Sequence, residues 1–299
     1  MNKYYQDEAE RVKVKVCSVS PLFKVGANMP EWRVIEEGPG DGISNMAVDR
    51  AILTACEAGE APPTLRLYSW KRPTLTVGYA QDIDREIDIE RCRVLGIQIV
   101  RRPTGGRALL HHHEVTYSFT APVPHPHFPS SLLGAYRVIA QALLEGLEII
   151  GVQEAALASA GKAEKIRNSS RSPSCLSSIN HWEIEVQGAK LVGSAQRRTK
   201  KAFLQHGSIL INCDRSLLNS LFKYEAADSR FKSMDILNNR VVTLSECLGR
   251  EVGYREVLQA LKQGFSRAFP GRWSQESLSS CELARSASDA CSTGVISTS

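Results

Sequence analysis

A long run of apolar residues at helical spacing fills the stretch from about Leu132 to Ile150. The positions that share one face are Tyr136, Ile139, Leu143, Leu147 and Ile150. Gly151 follows directly and is typical of helix ends, because glycine adopts the left-handed backbone conformation without strain. The pattern predicts an amphipathic helix that packs on a sheet.

The same spacing predicts two further helices. Ser44 is a candidate N-cap for a helix that stops near Gly59, ahead of a proline pair. The apolar positions of this helix are Val48, Ala51, Ile52 and Ala55. A later helix is expected from about Tyr254 to Phe269. Its apolar face contains Leu258, Leu261 and Phe265.

Short alternating or β-branched segments between these helices predict strands. Leu65–Tyr68 and Leu75–Tyr79 are joined by the turn-prone Lys71–Pro73, and Ile97–Val100 forms a third segment. We expect two strands on either side of the turn and a third that leads into the glycine-containing stretch described below.

A hairpin is predicted later in the chain. Its strands are Trp182–Val186 and Lys190–Val192, its turn is Gln187–Ala189, and a further strand covers Ser208–Ile211. Hairpin connections recur and few βαβ crossovers are visible, so the sheet should be mixed and largely antiparallel. The expected fold class is α/β (α+β), a sheet flanked by helices.

Composition sets the domain limits. Residues 1–30 lack periodicity and are predicted to be an N-terminal extension, residues 31–272 a single domain, and the Ser-rich residues 273–299 a flexible tail. Residues 152–180 lose all periodicity and predict a long loop, which in compact domains is often functional.

Charge and cysteine usage narrow the function classes. The 299 residues carry a net charge of +5, without the interleaved aromatic and basic residues of a nucleic-acid groove. The eight cysteines are scattered, with no pair at zinc-site spacing. With no apolar run long enough for a membrane span and no secretory signal, we expect a cytoplasmic protein that binds neither nucleic acid nor membrane.

The stretch from Arg101 to Glu114 concentrates candidate chemistry, with three arginines, a glycine pair and three histidines. On a strand His111 and His113 would share a face, but two imidazoles leave a metal short of ligands, so no metal site is expected. The glycine pair suits either a phosphate cradle or a tight turn between strands, and no Walker or Rossmann spacing decides between them.

Four motifs in order settle a family resemblance. Arg101–His111 resembles the RRxxGG(R/G)xxxH signature of the biotin/lipoate protein ligase and lipoyl/octanoyl transferase superfamily. Asn45–Asp49 is similar to its early helix signature, Gly188–Gln196 to its GxK(I/V)xGSAQ strand, and Gln205–Leu210 to its (Q/H)HG(S/T)(L/I)L segment. The likeness covers about residues 32–270 and implies the ligase-like fold of that superfamily.

The resemblance implies an acyl pocket and assigns residues to it. The implied substrate-binding residues are Arg102, Gly105, Gly106, Arg107, His111, Gly193, Ser194 and His206. Two positions depart from the pattern. His112 stands where many members have aspartate, and Arg50 follows Asp49 where glutamate is usual, a change that we expect to concern a structural salt bridge.

Within the superfamily, the loop that holds Cys175 resembles that of the cysteine-dependent octanoyltransferases of the LipM type. The resemblance implies Cys175 as nucleophile and Lys190 as a catalytic lysine in the pocket. A nearby cation would lower the pKa of a thiol and raise its thiolate fraction, and Lys190, Arg167 and Arg171 are candidates.

The implied activity is transfer of an octanoyl group through a cysteine thioester in lipoate assembly, with no cofactor. The implied donor is octanoyl-acyl carrier protein, and the acceptor a lipoyl-domain protein such as glycine cleavage H protein. Basic clusters at residues 162–171 and 197–201 are candidate docking surfaces for such acidic partners. The alternatives are an ATP-dependent lipoate ligase, an octanoyl amidotransferase between lipoyl domains, and a non-catalytic acyl- or metal-binding protein.

Overall fold

The computed structural model describes residues 29–158 and 183–292. In these residues the strands are β1 (Glu31–Gly40), β2 (Thr64–Trp70), β3 (Thr74–Val77), β4 (Gln98–Arg101), β5 (Leu109–His111), β6 (Glu114–Pro122), β7 (Ala155–Leu157), β8 (Ile184–Val186), β9 (Ala189–Arg198), β10 (Ala202–Leu210) and β11 (Arg272–Gln275). The helices are α1 (Gly42–Glu57), α2 (Ile83–Glu86), α3 (Ile89–Val94), α4 (Leu132–Ile150), α5 (Arg215–Ser220), α6 (Ala227–Arg240), α7 (Leu244–Leu248), α8 (Tyr254–Ala268) and α9 (Ser280–Ser292).

Two sheets organise the strands. The larger has eight strands in the order β11-β1-β2-β6-β10-β9-β8-β7, and the smaller has three in the order β4-β3-β5. In the larger sheet β1 pairs with β11 and β2 in parallel, and the remaining neighbours are antiparallel. The predicted fold class, a mixed and largely antiparallel sheet flanked by helices, is confirmed.

Helices cover both faces of the large sheet. The paired helices α4 and α8 pack on one face, where Phe203 belongs to their core cluster. Its neighbours Ala202 and Leu204 instead contact Leu53 and Cys56 of α1 on the other face. This alternation is what a strand buried on both sides requires, because successive side chains point to opposite faces.

The long periodic helix forms as predicted. Helix α4 begins after the N-cap Ser131, whose hydroxyl accepts from the Gly134 amide, and ends at Gly151 in the left-handed conformation. The late helix α8 also matches its prediction within one residue. For α1 the predicted cap is wrong, since Asp41 rather than Ser44 accepts from the Ile43 amide. A carboxylate three residues earlier caps the helix because α1 begins at Gly42.

The strands predicted at residues 65–68, 75–79 and 97–100 are confirmed, but they do not all pair within one sheet. Strands β2 and β3 flank the predicted turn at residues 71–73, but they lie in different sheets, so this turn carries the chain from one sheet to the other. The hairpin of β8 and β9 turns at Gln187 and Gly188, both with positive φ, as a tight two-residue hairpin requires. Strand β10 starts six residues before the predicted segment.

The Ser-rich tail is not flexible over residues 273–292, and that prediction is wrong. Strand β11 extends the large sheet, and α9 packs along α1. The buried Glu282 carboxylate accepts hydrogen bonds from Nη1 and Nη2 of Arg33 at 3.0 and 2.5 Å. Arg50 forms an ion pair with Asp289. Long-range ion pairs therefore help to order a segment that contains few large apolar residues.

The salt bridge predicted at Arg50 is confirmed by its contact with Asp289.

The predictions for the long loop and for the N-terminal boundary are tested only in part or not at all. The loop predicted over residues 152–180 contains β7 in its described part, and the rest lies outside the described residues. The domain boundary predicted at residue 31 stays a prediction. Within the two described ranges, no helix is both long enough and apolar enough to cross a bilayer.

Candidate active site

A pocket of about 360 Å³, counting its open mouth, lies where the two sheets and α1 meet. Its residues come from α1, from β2, β3, β5, β6, β9 and β10, and from the loop after β4. They are Met46, Tyr68, Thr76, Arg102, Leu109, His111, Thr116, Gly193, Ser194, Ala195, His206 and Gly207. Apolar side chains and glycines form much of this wall, and two histidines stand among them. The pocket is therefore suited to an apolar chain that ends in a polar reactive group.

One of the two histidines lies in a buried hydrogen-bonded chain that starts on α1. Asp49 Oδ2 is 3.0 Å from His206 Nδ1, and His206 Nε2 is 2.6 Å from Thr104 Oγ1. Asp49 also accepts from Arg66, Tyr68 and Ser118 through its two oxygens. The Asp49 carboxylate is thus saturated with donors, as a buried carboxylate must be.

The protonation states of this chain follow from its surroundings. Burial alone would raise the pKa of Asp49, but the Arg66 guanidinium and the His206 hydrogen bond lower it. Burial also lowers the pKa of His206 and outweighs the opposing effect of Asp49. At neutral pH we therefore assign an ionised Asp49 and a neutral His206 that donates from Nδ1 and accepts the Thr104 hydroxyl at Nε2.

The second histidine of the pocket lining, His111, lies in a similar hydrogen-bonded chain. His111 Nδ1 is 2.5 Å from Glu114 Oε1, and His111 Nε2 is 2.8 Å from Thr76 Oγ1. The His111 ring stacks on Trp70 with centroids 4.1 Å apart. Burial would raise the pKa of Glu114, but His111 and the hydrogen bonds to the carboxylate lower it. The pocket is thus flanked by two chains of carboxylate, histidine and threonine.

The glycine loop turns out to be held by Arg102. The buried guanidinium donates to the carbonyls of Gly105 and Arg107 at 2.7 and 2.8 Å, and to Thr76 on β3. Gly106 has φ of 91°, and its carbonyl lies so close to Gly78 that a Cβ there would approach within 1.9 Å. The loop is therefore a tight turn between β4 and β5, one of the two interpretations that the sequence left open.

The structure brings together most of the predicted substrate-binding residues. Arg102, His111, Gly193, Ser194 and His206 line one pocket. The exceptions sit at the exposed surface of the glycine loop, where Gly105 and Gly106 are exposed and Arg107 is half-buried. Within this loop Arg102 contributes to the pocket lining, and Gly105 and Gly106 do not. The role of each of these residues stays a prediction.

A β-bulge directs Lys190 towards Gly193. Ile184 pairs with Val192 and Glu185 with Lys190, so Leu191 is an extra residue in β9. Lys190 and Gly193 are three positions apart and would lie on opposite faces of a regular strand, but a Cβ on Gly193 would be 3.4 Å from Lys190 Nζ. The bulge thus places this ammonium directly behind the pocket wall.

Lys190 is completely buried, and its Nζ donates to Glu183 Oε1 at 2.7 Å. The sequence reasoning did not single out Glu183, although a carboxylate just before an apolar hairpin strand is a recognisable candidate partner for a lysine on the facing strand. It also overlooked Asp49 as a hub, although a carboxylate on the apolar face of a predicted helix signals a buried polar contact.

Ser194 belongs to a separate network behind the pocket. Its Oγ is 2.7 Å from the Tyr117 hydroxyl, which in turn accepts from Gln205 Nε2 at 3.0 Å. Burial raises the pKa of Tyr117 to about 12, so the phenol stays protonated at neutral pH. This network fixes the position of β9 where it lines the pocket.

His112 and His113 are exposed in the turn between β5 and β6, away from the pocket that His111 lines. Among the residues that the structure describes, no cluster of three or more histidine, cysteine, aspartate or glutamate side chains has the arrangement of a metal site. The predicted nucleophile Cys175, with Arg167 and Arg171, lies outside the described residues.

Comparison with known proteins places this fold and pocket in a class. A solved structure of a bi-partite lipoate protein ligase system from Thermoplasma acidophilum superposes with a TM-score of 0.71 at 21% identity, covering 89% of this chain and 93% of the other. Residues 41–266 match the lipoyl protein ligase A/B catalytic domain. The chain belongs to this family of catalytic domains, and the predicted resemblance is confirmed.

More similar relatives narrow the comparison within the family. An octanoyltransferase LipM of Anoxybacillus flavithermus is 38% identical over 254 residues, which are 84% of this chain and 91% of the relative. The octanoyltransferase LipM of Bacillus subtilis is 36% identical over 255 residues, 83% of this chain and 91% of the relative.

Proposed function

We propose that this protein is an octanoyltransferase, an acyltransferase that moves an octanoyl group from a carrier thioester to a lysine of a lipoyl-accepting protein. The observation that carries the proposal is the similarity, over more than four fifths of both chains, to proteins named octanoyltransferase LipM. The predicted donor is octanoyl-acyl carrier protein, the predicted acceptor a lipoyl domain such as glycine cleavage H protein, and the predicted location the cytoplasm.

In the first step of the proposed reaction, the Cys175 thiolate attacks the carbonyl carbon of the octanoyl thioester. A carbon–sulfur bond to Cys175 forms, and the carbonyl oxygen becomes an oxyanion in the tetrahedral intermediate. Collapse breaks the bond to the carrier sulfur, which leaves as a thiolate and takes up a proton. The product is octanoyl-Cys175.

In the second step the neutral ε-amine of the acceptor lysine attacks octanoyl-Cys175. The carbon–nitrogen bond forms, the nitrogen loses a proton, and the bond to Cys175 breaks to regenerate its thiolate. Each half-reaction develops an oxyanion at the same carbonyl, so one fixed cation or amide donor serves both.

The described residues support these steps through the pocket and Lys190. The apolar wall formed by Met46, Leu109, Ala195 and the glycines of β9 and β10 suits an eight-carbon chain. Lys190 Nζ lies behind Gly193 and is held there by Glu183. A buried ammonium in this place would stabilise both the Cys175 thiolate and the oxyanion.

The experiment that tests the proposal is a thioester trap. Enzyme mixed with octanoyl-acyl carrier protein, without acceptor, should gain one octanoyl group by mass spectrometry. Cys175→Ser should gain none as a hydroxylamine-labile thioester, and Cys281→Ser, which alters an exposed cysteine of α9, should gain as much as the unaltered enzyme. An adduct that survives Cys175→Ser would overturn the proposed nucleophile.

The same preparation distinguishes the alternative activities. Modification of the acceptor from free lipoate and ATP, with none from the carrier thioester, would identify a ligase instead. Transfer from an octanoylated lipoyl domain, but not from the carrier, would identify an amidotransferase. Octanoyl binding without transfer in any of these assays would identify a non-catalytic binding protein.

A further inference from the structure

The excess positive charge of this protein is concentrated in two stretches of its sequence. Residues 91–113 and residues 186–213 together contain ten lysines and arginines and no aspartate or glutamate. The net charge of the entire chain is only +5. The remaining residues are therefore net acidic in total, although they include the basic cluster at residues 162–171, which lies outside the described residues.

The fold brings the two stretches together at the pocket. The first contains the glycine loop, and the second contains most of β9 and β10 with the turn that joins them. Arg197 spans the gap, since its Nη1 donates to the Pro103 carbonyl at 3.2 Å. Its guanidinium carbon also lies 5.9 Å from the centre of the Tyr79 ring. Two acid-free stretches that are distant in sequence thus form one basic region.

Several of these cations are held by backbone carbonyls. Arg101 donates to the carbonyls of residues 78, 79 and 81, and Arg197 to that of Pro103. A carbonyl carries no net charge, so these arginines are fixed in position while their positive charge still acts on the surroundings. This arrangement differs from the rear of the molecule, where Lys262 and Arg250 on or beside α8 pair with glutamates.

Five side chains of this region are exposed or half-buried, and we name them the mouth patch: Tyr79, Arg107, Arg197, Lys200 and Lys201. Tyr79 is 65% exposed, which is unusual for an aromatic residue beside a pocket. Ala195 lines the pocket, and the turn with Lys200 and Lys201 begins four residues further along β9, roughly 13 Å away at the rise of a strand.

We propose that the mouth patch is the docking surface for a small acidic protein domain that presents the acyl thioester on an extended arm. This inference rests on the proposed octanoyltransferase function. The basic rim attracts the acidic domain, Tyr79 supplies an amphipathic contact of the kind enriched in binding surfaces, and the arm covers the distance from the rim to the pocket.

A charge-reversal experiment on the full-length enzyme tests the proposal. The double variant Lys200→Glu/Lys201→Glu is compared with Arg255→Glu/Arg267→Glu, which removes the same charge from exposed positions of α8 on the other face of the large sheet. The donors are octanoyl-acyl carrier protein and the octanoyl thioester of N-acetylcysteamine, which is small and neutral.

For the carrier-protein donor we expect the mouth variant to raise KM by about tenfold or more, with kcat little changed, and to flatten the dependence of kcat/KM on salt. The α8 variant should change KM by less than about twofold. With the neutral donor the two variants should behave alike, because that donor has no acidic domain to dock.

Each other outcome counts against a particular claim. If the two variants lose carrier-protein activity equally, net charge rather than the mouth patch governs docking, and the proposal is overturned. It is also overturned if the mouth variant loses activity equally with both donors. If the unaltered enzyme is acylated by neither donor, the proposed function itself fails, and this result is distinguishable from a failure of docking.

Discussion

The two carboxylate–histidine–threonine chains that flank the pocket have the same order of groups but different surroundings. Asp49 meets the buried guanidinium of Arg66 as well as His206, and joins α1 to the large sheet. Glu114, at the start of β6 in the large sheet, accepts from Thr116 and from His111 of β5 in the small sheet. The first chain therefore includes a buried arginine–carboxylate pair, and the second orients a histidine where β5 of the small sheet leads into β6 of the large sheet.

The difference predicts unequal consequences when either chain is broken. Loss of charge at Asp49 removes a main counter-ion from the buried Arg66 guanidinium, whereas loss of charge at Glu114 affects the imidazole of His111 and the hydroxyl of Thr116. Although the two chains contain the same kinds of groups, we expect the Asp49 chain to stabilise the fold and the Glu114 chain chiefly to orient His111.

The largest effect should come from removing the carboxylate charges. Asp49→Asn is expected to lower the free energy of unfolding by about 3 to 5 kcal/mol, since it breaks a buried ion pair from one side. Glu114→Gln is the matched change and should cost about 1 to 3 kcal/mol. Denaturant unfolding of both variants measures the difference, and equal losses would contradict the distinction between the two chains.

Substitution of the threonine in each chain should show which chain supports the glycine loop. Thr104→Val removes the hydrogen bond to His206, and Thr76→Val removes the one to His111 and a second from Arg102 Nη1 at 3.3 Å. Each change should lower the free energy of unfolding by about 1 to 2 kcal/mol. Hydrogen exchange at the amides of Gly105 and Gly106 should then rise more in Thr104→Val, because Thr104 joins this loop directly to His206, whereas Thr76 reaches the loop only through Arg102. Equal increases in both variants would show that the loop depends equally on the two chains.

The smallest effect is on the pH dependence of stability. Because burial lowers the pKa of His206 below that of an unfolded histidine, about 6.5, the unfolded chain binds more protons as the pH falls. The contribution of neutral, buried His206 to the free energy of unfolding is fully present above about pH 6.5 and is lost as the pH falls below it. His206→Gln should therefore flatten the fall in the free energy of unfolding between pH 7 and 5. Parallel curves for the two proteins would refute this assignment.

His125 provides a constant background in that measurement. Burial lowers its pKa to about 4, so it also reduces stability as the pH falls below about 6.5. The effect is present in both proteins and does not affect the comparison.

Elements with a strong local signal could be predicted from the sequence. The periodic face of α4 and the glycine at its end fix that helix closely, and the residues of the β8–β9 turn fix the hairpin. The pocket residues on β9 and β10 were found through motifs whose members lie near each other in the sequence and pair across one ladder.

Features created by distant partners could not be predicted in this way. Asp49 and His206 are 157 residues apart, and neither position alone indicates that a carboxylate and an imidazole meet. The Leu191 bulge is invisible in the spacing, because an inserted residue changes the facing of a strand without changing its composition. The prediction of a flexible tail in place of α9 was wrong for the same reason. The order of this helix depends on Arg33, α1 and the sheet edge rather than on its own apolar content.

The buried pair of Arg33 and Glu282 has a consequence for synthesis in the cell. The two residues are 249 positions apart, and ribosomes add about 5 to 20 residues per second. The counter-ion of Arg33, Glu282, is therefore added to the chain roughly 12 to 50 seconds after Arg33 itself. Strand β1 gains its neighbour β2 about 30 residues later, but its neighbour β11 follows β1 only after more than 230 residues. The native packing of β1 is thus completed only when β11 has been translated, and until then one edge of the nascent sheet is open.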